Sequence, residues 1–356
     1  MKRVVLSALL LLSAVSPVSA GRCLSVTAVG DIMMGTDYPE PLLPPDDGAR
    51  IFQGVIDQLH GGDITMGNLE GPLTVGGEGV KCRKESPRCF EFRTPPHYAL
   101  RLRDAGFSAV HVANNHISDF GPQGVGDTVR ALAYSGVQAV GGREVASFRV
   151  EGKRVSVAGF SYLPRSGYSY PVGDIPGAQE VIRSLKEESD IVIASFHAGA
   201  EGGEAQRIPH AEEEYLGEKR GNVVRFARAL IDAGADMVVG HGPHVLRAME
   251  IYKGKLIAYS LGNFLVYERF NISGPSGVSA ILKVRLSLDS GDFVGGLIIP
   301  VIIGGRGIPE VDPEGKAIGL VRRLTEEDID APGLRISDSG ILGLSAESLQ
   351  AVACEP

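Results

Sequence analysis

The sequence has no excess of positive charge. Its 35 lysines and arginines are outnumbered by 43 aspartates and glutamates, which gives a formal net charge of −8 at pH 7. Proteins that bind nucleic acids through bulk charge need the opposite balance, because lysine and arginine neutralise the phosphate backbone. We therefore predict no nucleic-acid partner. A locally positive site would need bound divalent cations, whose charge outweighs that of neighbouring side chains.

The sequence also lacks a long hydrophobic run beyond residue 20. A membrane-spanning helix needs about 20 consecutive apolar residues, and no segment after the N-terminus has them. Residues 1–20 are typical of a secretory signal, since Lys2 and Arg3 come first, an apolar stretch follows, and Val-Ser-Ala at 18–20 matches a cleavage site. We predict a secreted, extracytoplasmic protein that would associate with a membrane only through an uncleaved signal.

Cysteine is scarce, and no CxxC pair is present, which disfavours a structural zinc site. The four cysteines form an even number, as disulfides in an exported protein require. Cys82 and Cys89 lie seven residues apart in one loop, whereas Cys23 and Cys354 lie near the two ends. We predict the disulfides Cys82–Cys89 and Cys23–Cys354; four cysteines allow three pairings, and a free Cys354 is the alternative to the second bridge.

Strand-like and helix-like segments alternate through the first 140 residues, which indicates a layered α/β fold. Thr94 is predicted to cap a helix that begins at Pro95. Later segments pair as hairpins across Glu151-Gly152, Lys253-Gly254 and Ser290-Gly291, so that the last third is mostly antiparallel strand. We infer two sheets packed face to face with helices outside. The predicted organisation is a signal at 1–20, a main domain at 21–309 and an appendage at 310–356 with a short acidic helix at 324–329.

Polar residues that can bind metals stand where five apolar strand-like segments end. In an α/β protein the loops leaving the carboxyl ends of strands share one edge of the sheet, where ligands bind. Oxygen donors and imidazoles that meet there would form the site of a metal-dependent hydrolase. The segments VTAVG, ITMG, AVHVAN, IVIASF and DMVVG lead into Asp31, into Asn68 and Glu70, into Asn115 and His116, into His197, and into His241.

Two strings carry the strongest local signal. In ANNH, the amide of Asn115 can bind a cation, His116 can act as an acid, and Asp119 can hold that imidazole in one tautomer; the alternative is a turn that caps the next helix. In GHGPH, a tight turn with two glycines can direct His241 and His244 at one centre. His197, which closes an apolar strand, has the alternative of a satisfied interior residue.

Three further residues are weaker candidates. Asn68 and Glu70 alternate in GNLEG and would point to opposite faces of a continuous strand, unless a turn brings both inward. Asn263, in YSLGNF, can orient a ligand or form a turn. Glu201 lies in a glycine-rich loop that is either a lid or mobile surface.

These motifs occur in one order: GDIMMG, GNLEGPLT, VANNHISDFG, SFHAGAEG, IDAGADMVVGHGPHV and YKGKLIAYSLGNF. With them the chain resembles the CapA family, capsule proteins associated with poly-γ-glutamate synthesis. That family is similar to the calcineurin-like metallophosphoesterases. The resemblance implies an α/β fold of the metallophosphoesterase type, a four-layer α/β/β/α sandwich, with a two-metal centre.

The resemblance also implies roles for particular residues. Asp31 would bind the first metal, and Glu70 would stand in the place of the bridging carboxylate. The second metal would be bound by Asn115, His197 and His241, while His244 reaches back to the first metal and His116 is the acid. Two positions depart from the superfamily pattern, since Met33 replaces the histidine of the opening D-x-H and the closing histidines are spaced His241-x-x-His244 rather than H-x-H.

The function implied is a secreted metal-dependent hydrolase. One or two divalent ions, Mn, Fe or Zn, would suit the mixed amide, imidazole and carboxylate set. The substrate would be a phosphoester, or an amide or ester bond of an envelope polymer. The alternative is a noncatalytic envelope component that binds an anionic polymer for capsule assembly or export.

Overall fold

A computed structural model describes residues 22–82 and 89–349 of the chain. The predicted signal and Cys354, the predicted partner of Cys23, lie outside the described residues. Cys82 and Cys89 are joined by the predicted disulfide. Within the described ranges, no helix combines the length and the apolar character that a bilayer crossing needs.

The described chain contains eighteen strands and six helices. The strands are β1 (Cys23–Met33), β2 (Ile64–Leu69), β3 (Ala109–His111), β4 (Gln138–Val140), β5 (Ala146–Val150), β6 (Lys153–Ser161), β7 (Ile191–His197), β8 (Glu213–Tyr215), β9 (Glu218–Gly221), β10 (Met237–His241), β11 (Met249–Tyr252), β12 (Lys255–Ala258), β13 (Asn263–Val266), β14 (Val278–Ser287), β15 (Phe293–Gly304), β16 (Ile308–Val311), β17 (Arg335–Ile336) and β18 (Ile341–Gly343). The helices are α1 (Ile56–Leu59), α2 (Ala99–Asp104), α3 (Gly121–Ser135), α4 (Ile175–Glu188), α5 (Val223–Asp232) and α6 (Lys316–Asp328).

Local sequence explains several of these elements. The predicted hairpin between β5 and β6 turns at Glu151 and Gly152, both with positive φ, as a tight two-residue turn requires. The hairpin between β11 and β12 turns in the same way at Lys253 and Gly254. The side chain of Asn222 accepts a hydrogen bond from the Arg225 N–H and so caps α5.

Most of the strands form two large sheets. The first has ten strands: its main path runs β17-β18-β15-β14-β1-β2-β3-β4, β13 also pairs with β1, and β16 pairs with β15. The strands β1 to β4 are parallel, whereas β14 is antiparallel to both of its neighbours, β1 and β15. The second sheet has the order β11-β12-β10-β7-β6-β5, with a parallel centre from β12 to β6.

Three apolar clusters show how the layers pack. The central cluster joins the facing sides of the two sheets, for example Met66 of the first and Ile193 of the second. A second cluster lies between the first sheet and α1 to α3, and a third between the second sheet and α4 and α5. The predicted four-layer α/β/β/α sandwich, the arrangement implied by the resemblance to the metallophosphoesterases, is confirmed.

The residues after Pro309 contribute to both the sheet and the core. Strand β18 pairs with β15 and extends the first sheet. Helix α6 is longer than the acidic helix predicted at 324–329, and it places Ala317 and Val321 in the central cluster. The division of the chain at 309 into a main domain and an appendage stays a prediction.

Candidate metal centre

The first group of candidate ligands lies at the end of β1. Asp31 pairs in register with Asn68 of β2 on one side and with Asn263 of β13 on the other. Gly30 permits this close arrangement, because a Cβ there would lie 1.9 Å from the carbonyl oxygen of Gly262. The Asp31 N–H donates to that same oxygen at 2.9 Å. The backbone of β1 therefore fixes the Asp31 carboxylate at the junction of three strands.

Asp31 is completely buried and surrounded by polar groups. Its Oδ1 accepts a hydrogen bond from Asn68 Nδ2 at 2.8 Å, and its Oδ2 lies 2.9 Å from His244 Nδ1. Oδ1 is also 3.7 Å from His241 Nδ1. Burial alone would raise the pKa of this carboxyl, but His244 and His241 outweigh it and hold the pKa below its usual value. Asp31 is therefore a carboxylate, the form that binds cations.

Glu70 reaches the same centre as Asp31. Strand β2 ends at Leu69, so Glu70 lies beyond the strand and need not point to the face opposite Asn68. Its Oε1 lies 3.6 Å from His244 Nε2 and 3.9 Å from His197 Nε2. Neither carboxylate oxygen has a hydrogen-bond partner among the described residues. Burial raises the pKa of Glu70 well above its usual value, because nothing in this environment replaces the lost hydration.

The ANNH turn divides its work between the two amides. Asn114 donates from Nδ2 to Asn68 Oδ1 at 2.9 Å and to the Leu69 carbonyl at 2.8 Å, while its Oδ1 accepts from the N–H groups of His116 and Ile117. It therefore closes the turn, but it does not cap the next helix as the alternative for this string required, since α3 begins at Gly121 after Phe120. Asn115 has no such role: its Oδ1 is buried and lacks a partner among the described residues.

His116 and Asp119 form the predicted pair. His116 Nδ1 lies 2.8 Å from Asp119 Oδ2, which also accepts a hydrogen bond from the Phe92 N–H at 2.8 Å. The ring of Phe92 packs on the imidazole with 4.4 Å between centroids. Burial lowers the pKa of His116, and the charge of Asp119 opposes that effect only in part. Asp119 thus fixes the orientation of the ring.

The second sheet contributes His197 and His241. They are paired in register at the ends of β7 and β10. Asn68 Nδ2 lies 3.2 Å from His197 Nδ1, while His197 Nε2 and both ring nitrogens of His241 have no hydrogen-bond partner in the described ranges. Burial lowers the pKa of His197 well below its usual value and lowers that of His241 to about 4, although Asp31 opposes the latter shift. Both rings are therefore neutral, as metal ligation requires.

His244 connects the two carboxylates. The turn before it passes close to β7 at Gly242, whose φ is 113°, and His244 itself has a φ of 59°. Its Nδ1 lies 3.1 Å from Asn263 Oδ1, and its Nε2 lies 3.9 Å from Glu201 Oε2. Burial would lower the pKa of His244, but Glu70 and Asp31 outweigh it and raise the pKa to about 10, so a cation that binds this ring has to displace its proton.

Contacts link eight of the sequence-predicted candidates in one centre: Asp31, Asn68, Glu70, His197, Glu201, His241, His244 and Asn263. Asn115 and His116 belong to the adjoining ANNH turn, which Asn114 joins to Asn68. Asp31, Glu70 and His244 offer ligand atoms that lie within 4.8 Å of one another. Around them is a set of buried polar atoms without partners in the described chain. That set comprises Glu70 Oε1 and Oε2, Asn115 Oδ1, His197 Nε2, and His241 Nδ1 and Nε2. Such atoms are costly to bury unless something binds them, so the donor set fits a divalent cation.

Met33 explains one departure from the superfamily pattern. Its side chain is buried, and its sulfur accepts a hydrogen bond from the Gly35 N–H at 3.3 Å. It therefore stabilises its own turn, and the imidazole that lies beside Asp31 comes from His244 instead.

Sequence reasoning missed four residues close to this centre: Asn114, His111, Lys81 and Arg220. His111 is buried, with its ring 5.8 Å from that of His241, and Arg220 donates to Glu201 Oε1 at 2.6 Å. Asn114 was adjacent to a candidate and could have been included. His111 lies inside the strand-like segment AVHVAN rather than after it, and Lys81 and Arg220 occur in segments without a strand-end signal.

Comparisons with known proteins agree with the motif series. The family model described as bacterial capsule synthesis protein PGA_cap matches residues 25–268. The chain is 32% identical over 257 residues to the PGA biosynthesis protein CapA of Bacillus subtilis (strain 168), covering 68% of this chain and 63% of that protein. It is 30% identical over 254 residues to the capsule biosynthesis protein CapA of Bacillus anthracis, covering 68% and 59%. The chain thus spans less than two thirds of the length of these curated relatives.

The chain also aligns with a solved structure. It is a crystal structure described as that of a novel phosphatase from Mycoplasma pneumoniae, with a TM-score of 0.49 and 14% sequence identity. The alignment covers 83% of this chain and 96% of that one.

Proposed function

Because this chain belongs to the bacterial capsule synthesis family PGA_cap, we propose that it is an extracytoplasmic, poly-γ-glutamate-associated protein with a metal-dependent hydrolase site. The bond cleaved is a phosphoester, or an amide or ester bond of an envelope polymer. The family membership supports the capsule context, and the chemistry of the candidate metal centre supports the hydrolase site.

One observation carries the proposal: buried nitrogen and oxygen atoms from two sheets converge without partners in the described chain. A buried carboxylate and three neighbouring imidazoles would be poor core material unless an ion satisfied them. Mixed carboxylate, amide and imidazole donors suit Mn, Fe or Zn, and the two groups of donors allow one or two ions. Asp31, Glu70 and His244 would hold one ion, and Asn115, His197 and His241 would hold the other.

When bound, a divalent cation supplies Lewis-acid chemistry, since it polarises a phosphoryl or carbonyl oxygen and favours ionisation of water. The chain's own residues position and protonate. Asn68 and Asn114 form a hydrogen-bonded chain that holds Asp31 in place. His116, held by Asp119 and packed against Phe92, would donate the proton that the leaving oxygen or nitrogen takes up.

The extracytoplasmic location has independent support. Residues 1–20 are typical of a secretory signal, and the Cys82–Cys89 disulfide suits an oxidising compartment. Fractionation of cells that express the full chain, followed by N-terminal sequencing of the product, tests both the export and the cleavage after residue 20. A cytoplasmic product with an intact N-terminus would contradict this part of the proposal.

A second function has one observation in its favour. The same ions could bind carboxylates of an anionic polymer without cleaving it. The relatives in Bacillus subtilis and Bacillus anthracis are named for the biosynthesis of PGA and of a capsule, not for hydrolysis. In that case the centre binds, His116 has no role in turnover, and the protein assists assembly or export.

The first test is metal content. Purified wild-type protein should retain at least one transition metal, and His241→Ala should lose it, whereas His97→Ala, at an exposed histidine paired with Asp47 on the surface, should not. A wild-type protein that retains none after incubation with Mn, Fe or Zn would refute the metal centre.

The second test is turnover. Metal-loaded wild type is compared with His116→Ala on a generic phosphodiester and on poly-γ-glutamate; loss of a general acid should lower the rate by about 10²–10⁴-fold. Binding of the polymer that survives in His116→Ala, with no turnover by either protein, would favour the noncatalytic function.

A further inference from the structure

We propose that Lys81 binds an anionic oxygen of the substrate at the edge of the candidate metal centre. This inference rests on the proposed function and names one residue of its substrate site. The ligand chemistry is an oxyanion, from either a phosphoryl group or a glutamate carboxylate.

The ammonium group of Lys81 lies beside the imidazole of His116. Lys81 Nζ lies 3.3 Å from His116 Nδ1 and 3.5 Å from His116 Nε2. Its side chain is 30% exposed, while those of His116 and Asp119 are 8% and 0% exposed. The ammonium group therefore lies between the buried acid and the solvent, where an entering substrate would meet it.

The backbone segment that carries Lys81 is held by both of its neighbouring residues. The Val80 N–H donates to the Asp119 carbonyl at 2.8 Å, and the Cys82 N–H donates to Glu91 Oε1 at 2.8 Å. Cys82 is also joined to Cys89 by a disulfide. A lysine that served only solubility would not need anchors on both neighbouring residues. Here the backbone on each side of Lys81 is tied down, so its side chain starts from a defined place.

The alternative role for Lys81 is to balance the charge of Asp119 and nothing more. Asp119 Oδ2 already accepts two hydrogen bonds, from His116 and from Phe92, and Asp119 Oδ1 is 3.7 Å from Lys81 Nζ. That distance is too long for a hydrogen bond. An ammonium group has three donors, and the contacts with His116 leave capacity for an oxyanion.

Arg220 is a second cation near the centre in the described chain. Its guanidinium donates to Glu201 Oε1 at 2.6 Å and to Glu218 Oε2 at 3.0 Å, and it stacks on the Tyr162 ring at 4.0 Å. Its charge is committed to those carboxylates. In an acidic protein, an anionic substrate needs a cation that still has a hydrogen-bond donor to offer, and Lys81, whose ion pair with Asp119 includes no hydrogen bond, meets that need.

The experiment compares Lys81→Met, which keeps the length and apolar stem, with Lys81→Arg and with the control Lys253→Met. Lys253 is an exposed lysine in a hairpin turn, so its replacement makes the same change in net charge away from the centre. Each protein is loaded with the metal that the wild type retains, and its metal content is measured separately. Binding of inorganic phosphate and of a γ-linked glutamate trimer is then measured by calorimetry.

Lys81→Met should bind at least one of the two probes about tenfold more weakly than the wild type, as expected for the loss of one charge-assisted hydrogen bond. Lys81→Arg should retain most of the affinity, and Lys253→Met all of it. Weakened binding of phosphate alone indicates a phosphoryl ligand, and weakened binding of the trimer alone indicates a carboxylate.

Three results would overturn the inference. They are unchanged affinity for both probes in Lys81→Met, no binding of either probe by the wild type, and loss of metal from Lys81→Met together with the loss of affinity. The first leaves the proposed function standing if the wild type retains metal and hydrolyses its substrate. The proposed hydrolase site itself fails if the wild type holds no metal or turns over neither substrate, so the two failures are distinguishable.

Discussion

Replacement of Arg247 by methionine should be among the most destabilising single changes outside the candidate metal centre. Arg247 is fully buried; it donates to both oxygens of Glu213, at 2.7 and 2.9 Å, and to the carbonyl oxygens of Ala205 at 2.7 Å and Ala200 at 3.3 Å. Without it, the Glu213 carboxylate would keep only the Ala200 N–H as a hydrogen-bond partner among the described residues. Breaking a buried ion pair from one side costs about 3–5 kcal/mol, because the remaining charge is buried and uncompensated.

The assay is denaturant unfolding with the disulfide intact, as a double-mutant cycle. Glu213→Gln in the Arg247→Met background should restore part of the lost stability, because glutamine removes the charge but still accepts from Ala200. Arg103→Met, which removes an exposed ion pair with Asp104, should leave the midpoint unchanged. A cost below about 1 kcal/mol for Arg247→Met, or no recovery in the double variant, would refute the reasoning that an unpaired buried charge dominates.

Three further outcomes are expected. Gly30→Ala should lower stability by about 1–3 kcal/mol and reduce metal retention, because its Cβ would collide with the Gly262 carbonyl, whereas Gly319→Ala, in an open part of α6, should be neutral or slightly stabilising in the same unfolding assay. Burial raises the pKa of Tyr98 to about 12, so the folded state should lose stability as pH rises from 10 to 12; Tyr98→Phe should flatten that loss in alkaline titrations, and an equally steep loss in the variant would contradict it. Chelation should remove the stability that metal binding adds to the wild type, about 2.7 kcal/mol when the free metal concentration is 100 times Kd, and so lower its thermal midpoint. The thermal midpoint of His241→Ala should not change.

Much of the fold could be predicted from the sequence because its signals are local. Hairpins across Glu151-Gly152 and Lys253-Gly254 were confirmed, since the turn residues themselves adopt the required positive φ. Predictions were weaker where tertiary packing decides. Thr94 does not cap a helix: its hydroxyl donates to the Gly35 carbonyl, and α2 begins only at Ala99 after a 3-10 turn. The acidic residues at 324–329 gave only the end of α6, because the buried Ala317 and Val321 extend it towards its N-terminus.

The candidate metal centre could be predicted from the sequence for a different reason. Each predicted ligand ends or follows an apolar strand, and parallel strands bring such ends together whatever the details of packing. The roles within the centre depended on finer geometry. Nothing in ANNH distinguishes Asn114, which caps the turn, from Asn115, whose oxygen lacks a partner in the described chain. Lys81 comes from a loop and Arg220 from the short strand β9, and the approach of both depends on the completed fold, so no spacing rule identifies them.

The donors of the candidate metal centre are divided between the two sheets. Asp31 lies near the end of a strand of the first sheet, Glu70 and Asn115 follow strands of that sheet, and His197 and His241 end strands of the second. Neither half alone can chelate an ion with the full set, so tight capture requires both halves to be docked in their final register. An ion added during refolding would then bind tightly only after the two sheets have docked. Its uptake would report that last step of folding rather than the formation of either sheet.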